Sequence, residues 1–127
     1  MKLLHTMLRV KDIKKSLDFY TKLLGMELSE KRRLEDCWLY FLTDKESGQQ
    51  IELTYNDETP ENGYEIGSGF GHFAFGVYSM NEFTKKLHSL GYSYLYEQFD
   101  LTGKGSLIAF IKDPDGYEIE LIENVQW

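Results

Sequence analysis

The chain has 127 residues, of which 42% are apolar and 28% are charged, and this is the composition of one ordinary globular domain. Its formal net charge of −7 argues against nucleic acid and anionic membranes as partners, because both bind basic surfaces. No apolar run reaches the ~18 residues of a membrane span, and the short, polar N-terminus does not resemble a signal peptide.

The first half of the chain is predicted to fold as a strand, a helix and three further strands. Alternating polarity indicates a strand at residues 3–10, and Asp12 is a suitable N-cap for the helix that follows. Apolar residues recur at helical spacing as far as Gly25, which is expected to end the helix in the left-handed conformation. Three strands are predicted next, at residues 26–34, 37–42 and 50–56.

The second half repeats this order. A strand is predicted at residues 71–77, and Ser79 followed three residues later by Glu82 forms a capping-box pattern for a helix that ends at Gly91. The Asp-Pro-Asp-Gly run at 113–116 is a strong turn signal between the last two strands. The strands after the helix are predicted at residues 92–98, 106–112 and 117–123.

Each half is therefore a βαβββ module. The modules are predicted at residues 1–56 and 71–127, and residues 57–70 form a linker without apolar periodicity. Four strands and one helix leave one sheet face of each module uncovered, so the two modules are expected to fold as a single α+β domain over residues 1–127.

The strongest functional signal is a histidine–glutamate pair at the same place in both modules. Glu52 follows His5 by 47 residues, and Glu120 follows His72 by 48. All four residues lie in predicted strands, and in three of these strands they are on the less apolar face. Imidazole and carboxylate groups are common metal ligands. A duplicated module with one of each on a sheet face can bring four ligands to one metal ion.

Two polar residues share the faces of the first pair. Arg9 lies four residues beyond His5, and Asn56 lies four residues beyond Glu52, which is about 13 Å along a strand at about 3.3 Å per residue. A substrate bound at the metal could therefore reach both of them with its distal end.

Several segments, in order, carry a resemblance that covers nearly the whole chain. They are residues 5–10 (HTMLRV), 19–26 (FYTKLLGM), 51–56 (IELTYN), 71–72 (GH) and 113–121 (DPDGYEIEL). Together they resemble the glyoxalase I (lactoylglutathione lyase) family of the vicinal oxygen chelate superfamily. This resemblance implies a fold of paired βαβββ modules that form a curved sheet around a metal site.

The resemblance also implies the ligands and the metal. The ligand set carried over is His5, Glu52, His72 and Glu120, with water in the remaining octahedral positions. The chain is compact like the short members of the family, which favours nickel or cobalt, with zinc as the alternative. Glu120 is the implied catalytic base, while Glu52 either acts at the opposite face of the substrate or stays a ligand.

The implied reaction is the metal-dependent isomerisation of the methylglyoxal–glutathione hemithioacetal to S-lactoylglutathione, by proton transfer through a metal-bound enediolate. The function would be methylglyoxal detoxification. Arg9, Asn56 and Lys104 are the implied substrate-binding residues. Larger members place an arginine where this chain has Ser68, so the identity of the thiol stays open. The family usually forms homodimers, and the site could be built within one chain or across two.

Two other functions remain open at this point. A methylmalonyl-CoA-type epimerase of the same superfamily would use similar chemistry, but its ligand set resembles His, Gln, His and Glu, and Glu52 argues against it. A metal-free protein that sequesters a small molecule would use an aromatic groove and would not need the four ligand positions. Cys37 is the only cysteine, so no internal disulfide is possible, and this fits a reducing, cytoplasmic compartment.

Overall fold

A computed structural model describes residues 1–103 and 105–123. The chain divides into two compact units, Met1–Glu65 and Ile66–Trp127, and each contains a four-stranded sheet. The division falls inside the segment that the sequence predicts as a linker. In the described part of the chain, no helix has the length and apolar character needed to cross a membrane.

The first unit follows the predicted order of elements. Its elements are β1 (His5–Arg9), α1 (Ile13–Asp18), a π-helical segment (Phe19–Leu23), β2 (Glu27–Arg33), β3 (Cys37–Thr43) and β4 (Gln50–Asn56). The strands lie in the order β1-β4-β3-β2. β1 and β4 pair in parallel, and β3 runs antiparallel to both of its neighbours. This order makes β1 and β4 direct neighbours, although 40 residues lie between the end of β1 and the start of β4 in the chain.

The helix of the first unit begins as predicted and changes character in its second half. The Asp12 carboxylate accepts a hydrogen bond from the Lys15 amide at 3.1 Å, as an N-cap does. The following turn widens into a π-helix, in which the Leu24 amide donates to the Phe19 carbonyl at 3.2 Å. Gly25 then adopts φ +74°, the left-handed conformation predicted for the helix end.

The second unit repeats the arrangement. Its elements are β5 (His72–Val77), α2 (Met80–Ser89), β6 (Phe99–Asp100), β7 (Leu107–Lys112) and β8 (Glu118–Glu123), and its strands lie in the order β5-β8-β7-β6. β5 and β8 pair in parallel, in the way that β1 and β4 do. The Ser79 side chain accepts a hydrogen bond from the Glu82 amide at 3.2 Å, which confirms the predicted cap.

The strand predicted at residues 92–98 is wrong. The edge strand of this sheet is β6, which has two residues. The Tyr94 hydroxyl and the Gln98 side-chain amide both donate to the Thr84 hydroxyl on α2, at 2.7 and 3.1 Å, while Thr84 donates to the Met80 carbonyl. These side chains hold the segment against the helix. Among the described residues, its one backbone hydrogen bond to the sheet runs from the Leu95 amide to β7.

The apolar core of each unit occupies the strand faces that alternate with the His–Glu faces. In the first unit, the most buried apolar side chains are Leu8, Val10, Phe19, Tyr20, Leu23, Leu42 and Leu53. In the second, they are Met80, Leu87, Ala109, Ile111, Ile119 and Leu121. The opposite face of each sheet therefore carries the polar residues that the alternation of the sequence assigns to it.

Candidate metal centre

His5 and Glu52 come together on the β1–β4 pair. The parallel register sets Gln50 opposite His5, so Glu52 lies diagonally across from the histidine on the same face. The distance from His5 Nε2 to Glu52 Oε2 is 2.7 Å. The glutamate side chain is 11% exposed and that of the histidine 34%, so the pair lies at the sheet surface with its carboxylate largely buried.

His72 and Glu120 form the same pair on β5 and β8. Glu118 lies opposite His72 in the register, and Glu120 is again the diagonal neighbour. The distance from His72 Nε2 to Glu120 Oε2 is 3.1 Å, and the two side chains are 41% and 18% exposed. The near-equal sequence spacing of 47 and 48 residues thus corresponds to one geometry that occurs twice.

Both pairs have the separation of two neighbouring ligands on one metal ion. With bonds of about 2.1 Å, adjacent donors lie about 3.0 Å apart in an octahedron and about 3.4 Å apart in a tetrahedron. At 2.7 and 3.1 Å, which are ordinary hydrogen-bond distances, the two donors of each pair are close enough together to bind the same metal ion. One imidazole nitrogen and one carboxylate oxygen per pair also form a donor set that suits a divalent transition metal. The residues therefore fit a metal ion.

Each unit by itself presents two such donors. In residues 1–103 and 105–123, no three histidine, cysteine, aspartate or glutamate side chains are grouped as a metal site. Metal sites in proteins generally have three or four protein ligands. The donors that one unit groups together are therefore fewer than such a site requires.

The two carboxylates have different surroundings. The Thr54 hydroxyl donates to Glu52 Oε1 at 3.2 Å, and both side chains belong to the buried part of the sheet. The residue at the equivalent place after Glu120 is Ile122, whose side chain has no hydrogen-bonding group.

A phenyl ring lies edge-on to each imidazole, and the sequence analysis missed both rings. Phe41 on β3 is 5.6 Å from His5 between ring centroids, with an interplanar angle of 78°. Phe110 on β7 is 5.3 Å from His72, with an angle of 85°. Phe41 pairs with Glu52 in the sheet register, and Phe110 pairs with Glu120. An alignment of the two modules could have identified these rings. Phe41 lies eleven residues before Glu52, and Phe110 lies ten residues before Glu120.

The predicted substrate-binding residues lie farther along the same face of the first sheet. Arg9 is exposed at the end of β1, opposite Thr54 in the register, and Asn56 is its diagonal neighbour at the end of β4. The Asn56 side-chain amide donates to the Tyr64 hydroxyl at 2.9 Å. Lys104 lies outside the described residues.

Comparison with known proteins gives consistent matches over almost the whole chain. The sequence profile described as Glyoxalase/Bleomycin resistance protein/Dioxygenase superfamily matches residues 2–121. The chain is 42% identical to a lactoylglutathione lyase from Escherichia coli O157:H7, and the alignment covers 97% of this chain and 93% of that protein. A lactoylglutathione lyase from Haemophilus influenzae is also 42% identical, with 98% and 93% covered.

Solved structures match the fold as well. Glyoxalase I from Zea mays superimposes with a TM-score of 0.86 at 34% identity, and the match covers 98% of this chain but 45% of the plant chain. A glyoxalase I from Leishmania major, described as trypanothione-dependent, gives a TM-score of 0.79 at 35% identity and covers 97% and 86% of the two chains. These matches confirm the predicted α+β fold of paired βαβββ modules.

Proposed function

The chain belongs to the glyoxalase/bleomycin resistance protein/dioxygenase superfamily, and from this we infer that it is a lactoylglutathione lyase. It converts the hemithioacetal of methylglyoxal and glutathione into S-lactoylglutathione, and so removes methylglyoxal. The observation that carries this proposal is the duplicated His–Glu pair in a chain that is 42% identical to lactoylglutathione lyases over nearly its full length.

The proposed ligands of one divalent metal ion are His5, Glu52, His72 and Glu120. Two neutral imidazoles and two carboxylates would leave a bound dication nearly neutral overall. Nickel or cobalt is favoured, because two imidazoles, two carboxylates and water would form a six-coordinate set of nitrogen and oxygen donors, and zinc is the alternative. The metal supplies Lewis-acid stabilisation of the negative charge that develops on the substrate oxygens.

Glu120 is the proposed base. The reaction moves one proton between adjacent carbons of the substrate, so a single carboxylate has to take the proton from the first carbon and return it to the second. The carboxylate must therefore lie beside the reacting carbons and be able to move. Glu52 would remain in place at the other side of the site.

The far end of the substrate is proposed to bind Arg9 and Asn56. A guanidinium and a carboxamide suit a carboxylate of the thiol, and both residues follow the His–Glu pair along the same face of the first sheet. Lys104 is proposed as a further contact. Glutathione is the proposed thiol because the bacterial relatives are named for it, and trypanothione is the alternative that the Leishmania major enzyme suggests.

The enzyme is proposed to work as a homodimer in the cytoplasm. Cys37 is a free, buried cysteine, so the fold does not need an oxidising compartment. The second His–Glu pair of each site would come from the same chain or from its partner.

The direct test is reconstitution of the metal-free protein. The protein is stripped with a chelator, and thioester formation from methylglyoxal and glutathione is followed while nickel, cobalt or zinc is added. We expect nickel and cobalt to restore activity better than zinc. If no metal restores thioester formation, with either glutathione or trypanothione, the proposed reaction is wrong.

The role of Glu120 has its own test. Glu120→Gln should still bind metal, since an amide oxygen can coordinate, but turnover should fall by about 10²–10⁴-fold because the amide cannot take a proton. Metal content and kcat are measured on the same preparation. Turnover within a few-fold of the unmodified enzyme would remove Glu120 from this role.

A further inference from the structure

The repeated fold makes one difference between the two His–Glu pairs visible. Thr54 lies two residues after Glu52, and Ile122 lies two residues after Glu120, so each shares the face of its glutamate. The Thr54 hydroxyl donates to Glu52 Oε1 at 3.2 Å. Ile122 cannot make this bond, because its side chain is a hydrocarbon.

Both oxygens of Glu52 are thereby engaged. Oε2 faces His5 at 2.7 Å, and Oε1 accepts the hydrogen bond from Thr54. Glu52 is 9% exposed and Thr54 is 7% exposed, so little water is present to replace a lost donor. If Glu52 swung away, both the carboxylate and the hydroxyl would lose a buried hydrogen bond, which opposes the movement.

Glu120 is held less firmly. Among the described residues, its one hydrogen-bond partner is His72, through Oε2 at 3.1 Å. Its side chain is 18% exposed, against 11% for Glu52. Within residues 1–103 and 105–123, its second oxygen therefore has no donor equivalent to Thr54, and the carboxylate can leave the imidazole and return at a smaller cost.

We propose that Thr54 is a positioning residue that keeps Glu52 as a permanent ligand, whereas Ile122, at the equivalent place, leaves Glu120 able to move as the base. The inference rests on the proposed function, because it assigns different tasks to two carboxylates of the same site. The inference adds a physical cause for these different tasks. One module has a hydroxyl beside its glutamate, and the other module does not.

Removal of the hydroxyl is the first test. Thr54→Val keeps the shape of the side chain, and we expect the dissociation constant for nickel to rise about tenfold, as for other groups that support metal ligands. The affinity is measured by competition with a chelator on the metal-free protein without substrate. Thr54→Ser should restore most of the affinity. Thr6→Val, on the opposite face of β1, is the matched control and should bind nickel like the unmodified protein.

Addition of a hydroxyl to the second module is the reciprocal test. Ile122→Thr places a donor beside Glu120, and Ile122→Val has the same shape without the donor. We expect kcat to be about tenfold lower in Ile122→Thr than in Ile122→Val, with nickel affinity equal or higher. If residue 122 affected folding alone, Ile122→Thr would not lower kcat while nickel affinity stayed equal or rose.

Three outcomes decide between the possibilities. Weaker nickel binding in Thr54→Val together with lower kcat in Ile122→Thr supports the inference. Unchanged nickel binding in Thr54→Val, or equal kcat in the two Ile122 variants, overturns it and leaves the proposed function intact. If the unmodified protein binds none of nickel, cobalt and zinc, the proposed function fails and the inference fails with it. Thermal unfolding of each metal-free variant identifies any that do not fold, and Thr54→Ala, which also removes the hydroxyl, then replaces Thr54→Val.

Discussion

At the scale of single residues, each of the two imidazoles lies beside a phenyl ring. A histidine that ligates a metal usually donates its other nitrogen to a carbonyl or carboxylate, which fixes the ring. In the described part of the chain, the hydrogen bonds of His5 and His72 go to their glutamates. Phe41 and Phe110 lie nearly perpendicular to these imidazoles, and we expect this packing to restrict their rotation.

Phe110→Leu tests this arrangement. An edge-to-face aromatic pair contributes about 0.5–1.5 kcal/mol beyond its buried area, so we expect nickel affinity to fall about two- to tenfold. The affinity is measured by chelator competition. Phe110→Tyr keeps the ring and should keep the affinity, while Phe75→Leu removes a ring from the other face of the second sheet. Equal affinities in Phe110→Leu and Phe75→Leu would contradict a role for the ring.

The sequence indicates the proposed ligands of this face but not the residues that support them. Alternation along a strand is sufficient to place Glu52 and Glu120 on the less apolar faces, and the structure agrees. Phe41 and Phe110 were not predicted because an aromatic residue in a strand is ordinarily a packing residue. The bond from Thr54 to Glu52 depends on side-chain rotamers, which a pattern of polarity does not contain.

At the scale of secondary structure, the segment after α2 shows how a local pattern can be overridden. Tyr92, Tyr94 and Tyr96 alternate as in a strand, but residues 92–98 do not form one. The Thr84 hydroxyl instead binds Tyr94 and Gln98, and burial raises the pKa of the Tyr94 hydroxyl. If residues 92–98 paired as a strand, we would expect Tyr94 and Gln98 to lose these hydrogen bonds to Thr84 on α2.

Thr84→Val should therefore destabilise the protein. Tyr94 and Gln98 would each lose an acceptor, and a lost hydrogen bond of this kind costs about 1–2 kcal/mol. The free energy of unfolding is measured in urea. Thr84→Ser retains the hydroxyl and should lie within about 0.5 kcal/mol of the unmodified protein. If Thr84→Val has unchanged stability, the network does not hold this segment.

The ion pair at the end of β2 gives a dependence of stability on pH. Arg33 donates two hydrogen bonds to the Asp57 carboxylate, at 2.7 and 2.6 Å, and they lower the pKa of Asp57. Folding therefore favours the ionised carboxylate. Its contribution is fully present well above the unfolded pKa of about 3.9, and it is lost as the pH falls through the lower folded value.

We expect Asp57→Asn to be less stable than the unmodified protein at pH 7, and the difference to shrink below about pH 4. Urea unfolding at pH 7 and pH 3 measures both values. Arg33→Gln should lose the same pH-dependent contribution to the free energy of unfolding. The double variant should lose no more of this contribution than either single variant. A difference that stays constant between the two pH values would exclude Asp57 as its source.

At the scale of the whole molecule, duplication accounts for what the sequence predicts well and for what it does not. The order of strands in each unit follows from one module read twice, and the two sheets have the same topology. The linker at residues 57–70 carries no apolar pattern. The sequence therefore does not specify whether the second His–Glu pair of a site comes from the same chain or from a partner chain. Since each unit offers two donors, that choice decides whether one chain is sufficient for activity.

Mixing two inactive chains determines the choice. His5→Ala damages the first unit and Glu120→Ala damages the second, so each variant alone should be inactive. If sites are shared between chains of a dimer, a mixed dimer contains one doubly damaged site and one intact site. When only mixed dimers are isolated, one of every two sites is intact, so about half of the activity of the unmodified enzyme should return.

The control for this experiment is a mixture of His5→Ala with Glu52→Ala. Both changes lie in the first unit, so every site in a mixed dimer keeps one damaged pair and activity should stay absent. Activity is measured on co-expressed chains that carry two different tags, after purification through both. Recovery in the first mixture but not in the second would show that each site takes one His–Glu pair from each chain, whereas absence of recovery in both would show that one chain supplies all four ligands.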